Sequence, residues 1–193
     1  MVRSWAGLLA AAVALTTITA CSGTEPLAPV AEPATTAPAA TSTEAAPTPT
    51  AEPVVRCTAA DLGLRVGGRG PDVNPGQKTV ALVYTNISSR PCYVTGVPGV
   101  DLLGPADPNG PTYPVPRPGA DAVQPRTTLG PGRKASATLT YLSGGAGWVP
   151  TEIITTPPGD THQLVTRWSL GDPVLRQDGA THPGTFVGPL VAS

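Results

Sequence analysis

The chain has 193 residues and a net charge of −1, with 13% charged side chains, 22 glycines and 25 prolines. This near-neutral balance gives no electrostatic footprint for nucleic acid, and no basic run indicates a membrane-surface patch. The length is sufficient for one ordinary domain core beside less structured segments.

The first 20 residues follow the order of a secretory signal peptide, with Arg3 followed by an uncharged, mostly aliphatic run. The run is shorter than the roughly 20 residues that span a bilayer, so no transmembrane helix is predicted in the mature protein. The tripeptide Ile-Thr-Ala directly precedes Cys21, which is the pattern of a bacterial lipobox. Cys21 is therefore predicted to be acylated and to anchor the mature protein at the extracytoplasmic face of the cell membrane. The alternative is an ordinary secretory signal with a chance cysteine.

Residues 21–53 are predicted to be a disordered linker that begins with the acylated cysteine. Ala, Thr, Pro, Glu and Ser dominate this segment, which has no aromatic residue. Such a composition cannot bury enough apolar surface to offset the entropy of ordering the chain. Prolines favour extended polyproline II, so we interpret the segment as a spacer. Its Thr and Pro content also permits O-glycosylation.

Cysteine usage agrees with an oxidising compartment. Acylation of Cys21 leaves two cysteines, Cys57 and Cys92, and these are predicted to form a disulfide. A metal site is the alternative, but the two thiols are far apart, no Cys-x-x-Cys occurs, and the chain has only two histidines. No metal or other cofactor is predicted.

Residues 54–193 are predicted to form one all-β domain, an antiparallel β-sandwich. Short alternating segments are separated by Pro and Gly, and no amphipathic helix is predicted. Asp107 to Gly110 predicts a turn, and Pro114 and Pro116 confine the strand after it to a sheet edge. The strand-forming segments are 62–66, 80–85, 92–94, 100–102, 112–115, 137–141, 152–155, 164–170 and 186–191.

A resemblance to the domain of unknown function 4232 family rests on four segments: CTAADL (57–62), TNIS (85–88), CYVTGVPGV (92–100) and LGPG (129–132). That family is common in secreted proteins and lipoproteins of high-GC Gram-positive bacteria. The resemblance implies an Ig-like β-sandwich in which the two cysteines are bridged. Val97 stands where the family usually has an aromatic residue. The family brings no known activity, so the resemblance implies no catalytic residue.

Two histidines lie near acidic residues in the sequence, His162 after Asp160 and His182 after Asp178. Neither has the strand–Gly-x-Ser-x-Gly–helix context that exposes a nucleophile, so both are interpreted as solvent-exposed turn residues. Three further motifs are interpreted as turns and not as sites: Asp107-x-Asn109-Gly110, Gly67–Gly70 and Asn86-Ile87-Ser88.

Two tryptophans of the domain differ in context. Trp168 lies at an alternating strand position and is predicted to be a core residue. Trp148 follows a glycine-rich loop, so it is either a contact for sugar or protein or a lid that folds back on the core.

Together these patterns predict a membrane-anchored lipoprotein that carries a non-enzymatic binding or envelope-structural β-sandwich. The expected partners are the membrane, reached through the lipid, and an unidentified protein or polymer of the cell envelope. The alternative is an extracytoplasmic hydrolase that uses His162 or His182 with an acid.

Overall fold

The computed structural model describes residues 52–145 and 147–193. The predicted signal peptide, Cys21 and nearly all of the predicted linker therefore lie outside the described residues. Within the described part the chain forms a 3-10 helix, Ala59–Asp61, and twelve strands. The strands are Val55–Arg56 (β1), Leu62–Arg69 (β2), Gln77–Asn86 (β3), Cys92–Val94 (β4), Gly99–Leu103 (β5), Thr112–Pro114 (β6), Thr127–Leu129 (β7), Lys134–Leu142 (β8), Glu152–Thr156 (β9), Leu164–Arg167 (β10), Phe186–Val187 (β11) and Val191–Ala192 (β12).

The strands build three sheets around one core, which confirms the predicted all-β, sandwich-like class. One sheet has the order β11-β8-β3-β2, with β12 also paired to β8. A second has the order β10-β9-β5-β6, and a small third sheet has the order β1-β4-β7. All pairs are antiparallel except β1 with β4, which are parallel. The 3-10 helix is the one helical segment described, and it is neither long nor apolar enough to cross a membrane.

The central strand β3 shows why this chain forms a sandwich. Its alternating residues Val80, Leu82 and Tyr84 are almost completely buried. Register places Leu82 opposite Ala137 and Tyr84 opposite Ala135 on β8, so these two large side chains are paired with small ones. Small cross-strand neighbours leave room for side chains of the facing sheet to pack between them. The Tyr84 hydroxyl also bonds the Thr155 hydroxyl of β9 at 2.6 Å, which joins two sheets through the core.

Most predicted strands are confirmed, and the differences have local causes. The strand with Pro114 lies at a sheet edge, as predicted, because proline cannot donate to a neighbour. The segment 164–170 is shorter than predicted: β10 ends at Arg167, although Trp168 is buried as expected. The segment 186–191 is split by Gly188 and Pro189 into β11 and β12.

Two of the three motifs interpreted as turns are confirmed in that role, whereas the interpretation of Gly67–Gly70 as a turn is wrong, because its first three residues lie in β2. Asn109 N–H donates to the Asp107 side chain at 2.9 Å, and Ser88 N–H donates to the Asn86 side chain at the same distance. Gly67 and Gly68 lie at a register shift between Val66 and Arg69. Each motif therefore serves local backbone geometry.

Candidate functional site

The predicted disulfide is present. Cys57 and Cys92 are bonded to each other, and both are almost completely buried. Cys57 follows β1, and Cys92 begins β4. Beside the bridge, the Cys57 N–H donates a backbone hydrogen bond to the Tyr93 carbonyl at 2.9 Å. The bridge therefore fastens the residue that follows β1 to the start of β4.

Trp148 is held by contacts within the domain. Its indole N–H donates to the Pro105 carbonyl at 2.9 Å, and the Arg176 guanidinium lies 5.0 Å from its ring. A Cβ at Gly104 would stand 2.5 Å from the indole, so glycine is required there for the ring to lie flat. These contacts favour the lid over the binding alternative, and a binding role for Trp148 stays a prediction.

His162 contacts Asp160, whereas His182 does not contact Asp178, the acidic residue near it in the sequence. His162 Nδ1 lies 3.0 Å from Asp160 Oδ1, but the histidine side chain is 83% exposed. His182 Nδ1 lies 3.2 Å from the Thr181 hydroxyl, while Asp178 is bound by Arg176. The first contact is a local turn interaction between residues two apart, and no hydroxyl among the described residues bonds that imidazole.

Asp160 organises the loop in which it lies. Its carboxylate accepts the Ala59 N–H at 2.6 Å and the N–H groups of Thr161 and His162 at 2.7 and 3.1 Å. These donors, with the Ala59 amide first, hold the pKa of Asp160 well below its ordinary value. The charge is thus retained, but its oxygens are occupied by the chain itself.

Asp172 occupies a second network of the same kind. Its carboxylate accepts hydrogen bonds from Arg69, from the Tyr141 hydroxyl at 2.6 Å and from Lys78 at 3.3 Å. The Arg69 bond, with help from the other donors, lowers the pKa of Asp172 to about 2. Burial raises the pKa of Tyr141, whose ring packs edge-on against Trp168. The network joins β2, β3 and β8 to the segment after β10 and is structural.

Acid is expected to destabilise the domain through Asp172. Because its pKa falls from 3.8 to about 2 on folding, its contribution is complete above pH 4 and is lost as pH falls through 2. One pKa unit corresponds to about 1.4 kcal/mol, so the contribution is about 2 kcal/mol. Asp172→Asn should flatten the dependence of the unfolding free energy on pH between 4 and 2, measured by urea denaturation. Asp121→Asn, at an exposed carboxylate, is the control and should leave the slope unchanged; an unaltered slope in Asp172→Asn would contradict the assignment.

A depression of about 410 Å³ lies on the outer face of the β10-β9-β5-β6 sheet. Gly99 of β5 lines it without a side chain, and a Cβ there would make an ordinary contact with Thr156 at 3.5 Å. Asp101, two residues further on the same face, lines the wall with Arg117 and the loop that ends at Asp160. We call this depression the Asp101–Arg117 pocket.

Asp101 differs from the other carboxylates of the domain described above. It is half-buried, and among the described residues it has no ion pair or side-chain hydrogen bond. Burial raises its pKa, while the charge of Arg117 opposes that rise. Arg117 is exposed and likewise forms no salt bridge with another described residue. Asp160 also lines the pocket, but its oxygens are occupied by donors of the chain. The two remaining charges of the pocket, Asp101 and Arg117, are opposite and do not contact each other.

A second depression, of about 540 Å³, shares Arg117 with the first. Its walls are mainly apolar, formed by Phe186 and three prolines together with Thr181 and His182. We call it the Phe186 depression. Arg117 therefore lines both the charged pocket and a mainly apolar depression.

The family of this chain follows from a match to a family model. A family model described as "Domain of unknown function (DUF4232)" matches residues 57–186. The chain belongs to this family. No curated protein matches it. The DUF4232 match begins at Cys57 and ends at Phe186, so it includes the disulfide, both depressions and Trp148.

Sequence reasoning did not single out the two charges of this DUF4232 domain. Asp101 was visible as an outward residue of a predicted strand, which is where charged side chains normally lie. Arg117 follows a predicted edge strand and had no motif of its own. The signal that could have been used is the glycine two residues before Asp101, because it removes a side chain from the same face. In the described part of the chain, no three potential His, Cys, Asp or Glu ligands come together as a metal site.

Proposed function

We propose that this protein is a lipid-anchored, extracytoplasmic binding module whose β-sandwich presents the Asp101–Arg117 pocket to a component of the cell envelope. The observation that carries the proposal is a pair of opposite charges in one depression, neither of which forms an ion pair with another described residue. Carboxylates that only stabilise the fold, such as Asp160 and Asp172, are saturated by donors of the chain. A partly desolvated charge without a partner lowers stability and is typical of a recognition site.

The anchoring part of the proposal comes from the leader and the disulfide. The lipobox pattern before Cys21 and the proline-rich segment up to residue 53 support a tether. The bridge between Cys57 and Cys92 is compatible with an oxidising compartment. Because the bridge closes directly after β1, a tether attached at the N-terminus would connect to a fastened edge of the domain.

A binding role is favoured over the hydrolase alternative by the state of the histidines. His162 does contact Asp160, but it is 83% exposed and the acid is shared with three backbone amides. General base catalysis requires an imidazole within hydrogen-bond reach of the group that it deprotonates, in a site that limits water. The contacts of His162 provide an orienting acid and no enclosed site.

In-cell cross-linking with mass spectrometry tests the proposal on four forms of the full chain: wild type, Cys21→Ala, Gly99→Val and Asp121→Asn. We expect a defined set of envelope partners in wild type and in the Asp121→Asn control. Cys21→Ala should lose these partners because the tether is removed. Gly99→Val should lose them because the valine side chain would project into the pocket. Partners that persist in Gly99→Val would contradict the pocket, and partners that persist in Cys21→Ala would contradict the tether.

A further inference from the structure

The spacing of charges in the Asp101–Arg117 pocket indicates what kind of ligand it accepts. The two side chains line one depression and influence each other electrostatically, yet they are too far apart to form a salt bridge. A ligand that carries only one charge would leave the other side chain unsatisfied. A ligand with a cationic and an anionic end can contact both, and charge-assisted hydrogen bonds are about twice as strong as neutral ones.

The chemistry of each wall sets the direction of the ligand. A carboxylate such as Asp101 accepts hydrogen bonds from an ammonium group, whereas the guanidinium of Arg117 binds a carboxylate through two parallel N–H donors. Because Arg117 also lines the Phe186 depression, an apolar group attached beside the ligand's carboxylate would rest against Phe186 and the prolines. The apolar group therefore belongs to the residue that carries the carboxylate.

We propose that the groove formed by these two depressions binds a short peptide with free ends, with its ammonium at Asp101, its carboxylate at Arg117 and an apolar C-terminal side chain in the Phe186 depression. This inference rests on the proposed function, since it names the ligand class of the same site. It requires no metal and no covalent step.

Isothermal titration calorimetry on the full chain, extracted in detergent, tests the ligand class directly. The probes are Gly-Leu, N-acetyl-Gly-Leu, Gly-Leu amide and the reversed dipeptide Leu-Gly, with leucine itself to test whether a single amino acid suffices. We expect Gly-Leu to bind. Blocking either end should weaken binding about tenfold or more, and Leu-Gly should bind more weakly than Gly-Leu. Equal binding of the acetylated and free peptides, or no heat with any probe at millimolar concentration, would overturn the proposal.

Two single variants assign each end of the peptide to its wall. Asp101→Asn should abolish the preference for Gly-Leu over its acetylated form while keeping the preference for the free acid over the amide. Arg117→Gln should abolish the preference for the free acid over the amide while keeping the preference for Gly-Leu over its acetylated form. Asp121→Asn is the matched control and should bind as wild type does. Thermal unfolding of each variant shows that it is folded, so that a loss of binding reports the groove and not the fold. A shift of both preferences by one variant would contradict the assignment.

Failure of this inference can be separated from failure of the proposed function. If cross-linking partners are lost in Gly99→Val but no zwitterionic peptide binds, the module and its pocket stand and the peptide assignment is wrong. If neither cross-linking nor calorimetry depends on Gly99 and Asp101, both proposals fail.

Discussion

Replacing Cys57 and Cys92 together with alanine is expected to lower the free energy of unfolding by about 3–4 kcal/mol. The bridge joins residues separated by 35 positions, and closing a loop of that length removes chain entropy from the unfolded state by about that amount. Both cysteines are buried, so the alanines also leave a small gap in the core. Urea denaturation at neutral pH, monitored by tryptophan fluorescence, measures the change.

Reduction supplies the control for this experiment. Dithiothreitol should destabilise the wild-type protein by a similar amount and should leave the double alanine variant unchanged. A loss of less than 1 kcal/mol in the variant, or a wild type insensitive to reductant after unfolding, would contradict the stabilising role. Because the bridge lies where the chain enters the domain, its loss should also loosen β1, which hydrogen exchange would detect as faster exchange at the Cys57 amide.

Arg176→Met is expected to destabilise the domain by about 3 kcal/mol. The side chain is only 5% exposed and binds Asp178 through two N–H donors at 2.7 and 2.9 Å. It also donates to the carbonyls of Asn109 and Gly110 in the turn between β5 and β6, and to that of Thr112, which begins β6. Methionine fills the space but leaves these acceptors without a donor, and each unsatisfied acceptor costs about 1–3 kcal/mol if it stays dry. Because the turn is partly exposed, the expected loss of stability lies near the lower end of the range that is typical when a buried ion pair is broken.

A graded series distinguishes the hydrogen bonds from the charge. Arg176→Lys keeps the charge without the planar fork, so its loss of stability should lie between those of wild type and Arg176→Met. Arg65→Met, at an exposed position of β2, is the matched control and should change stability by less than about 0.5 kcal/mol. Chemical denaturation of the three variants is the measurement. Equal stability of Arg176→Met and Arg65→Met would show that the guanidinium does not organise this turn.

The stabilising network around Arg176 also explains the position of Trp148. The guanidinium lies 5.0 Å from the indole and 5.4 Å from the Tyr113 ring, so it is close to both aromatic side chains. Arg176 therefore ties a loop tryptophan, a core tyrosine and the β5–β6 turn into one unit. The sequence offered no signal for this, because Arg176 lies in a segment without alternation, 28 residues after Trp148.

Much of the strand pattern could be predicted because it depends on residues that are neighbours in the sequence. Val80, Leu82 and Tyr84 stand at alternate positions, and a period of two needs no knowledge of the rest of the chain. Pro114 predicted an edge strand for a reason that is also local, because proline has no N–H to donate to a neighbouring strand. The two-residue β1 could not be predicted, since so short a segment has no period and is held by its parallel register with Cys92 and Tyr93.

By itself the sequence determined the all-β class, the family resemblance and the cysteine pair, because strand periodicity, motif spacing and the two cysteines that the predicted acylation of Cys21 would leave can be counted along the chain. It also predicted the leader, Cys21 and the linker, which lie outside the described residues. Only the tertiary structure decided which charges are satisfied. Asp160 and Asp172 meet donors from distant segments, whereas Asp101 and Arg117 share a pocket and form no ion pair within the described part of the chain. The physical reason is that strand pairing and loop packing, not distance along the chain, decide which donors reach a carboxylate and which charges are left for a ligand.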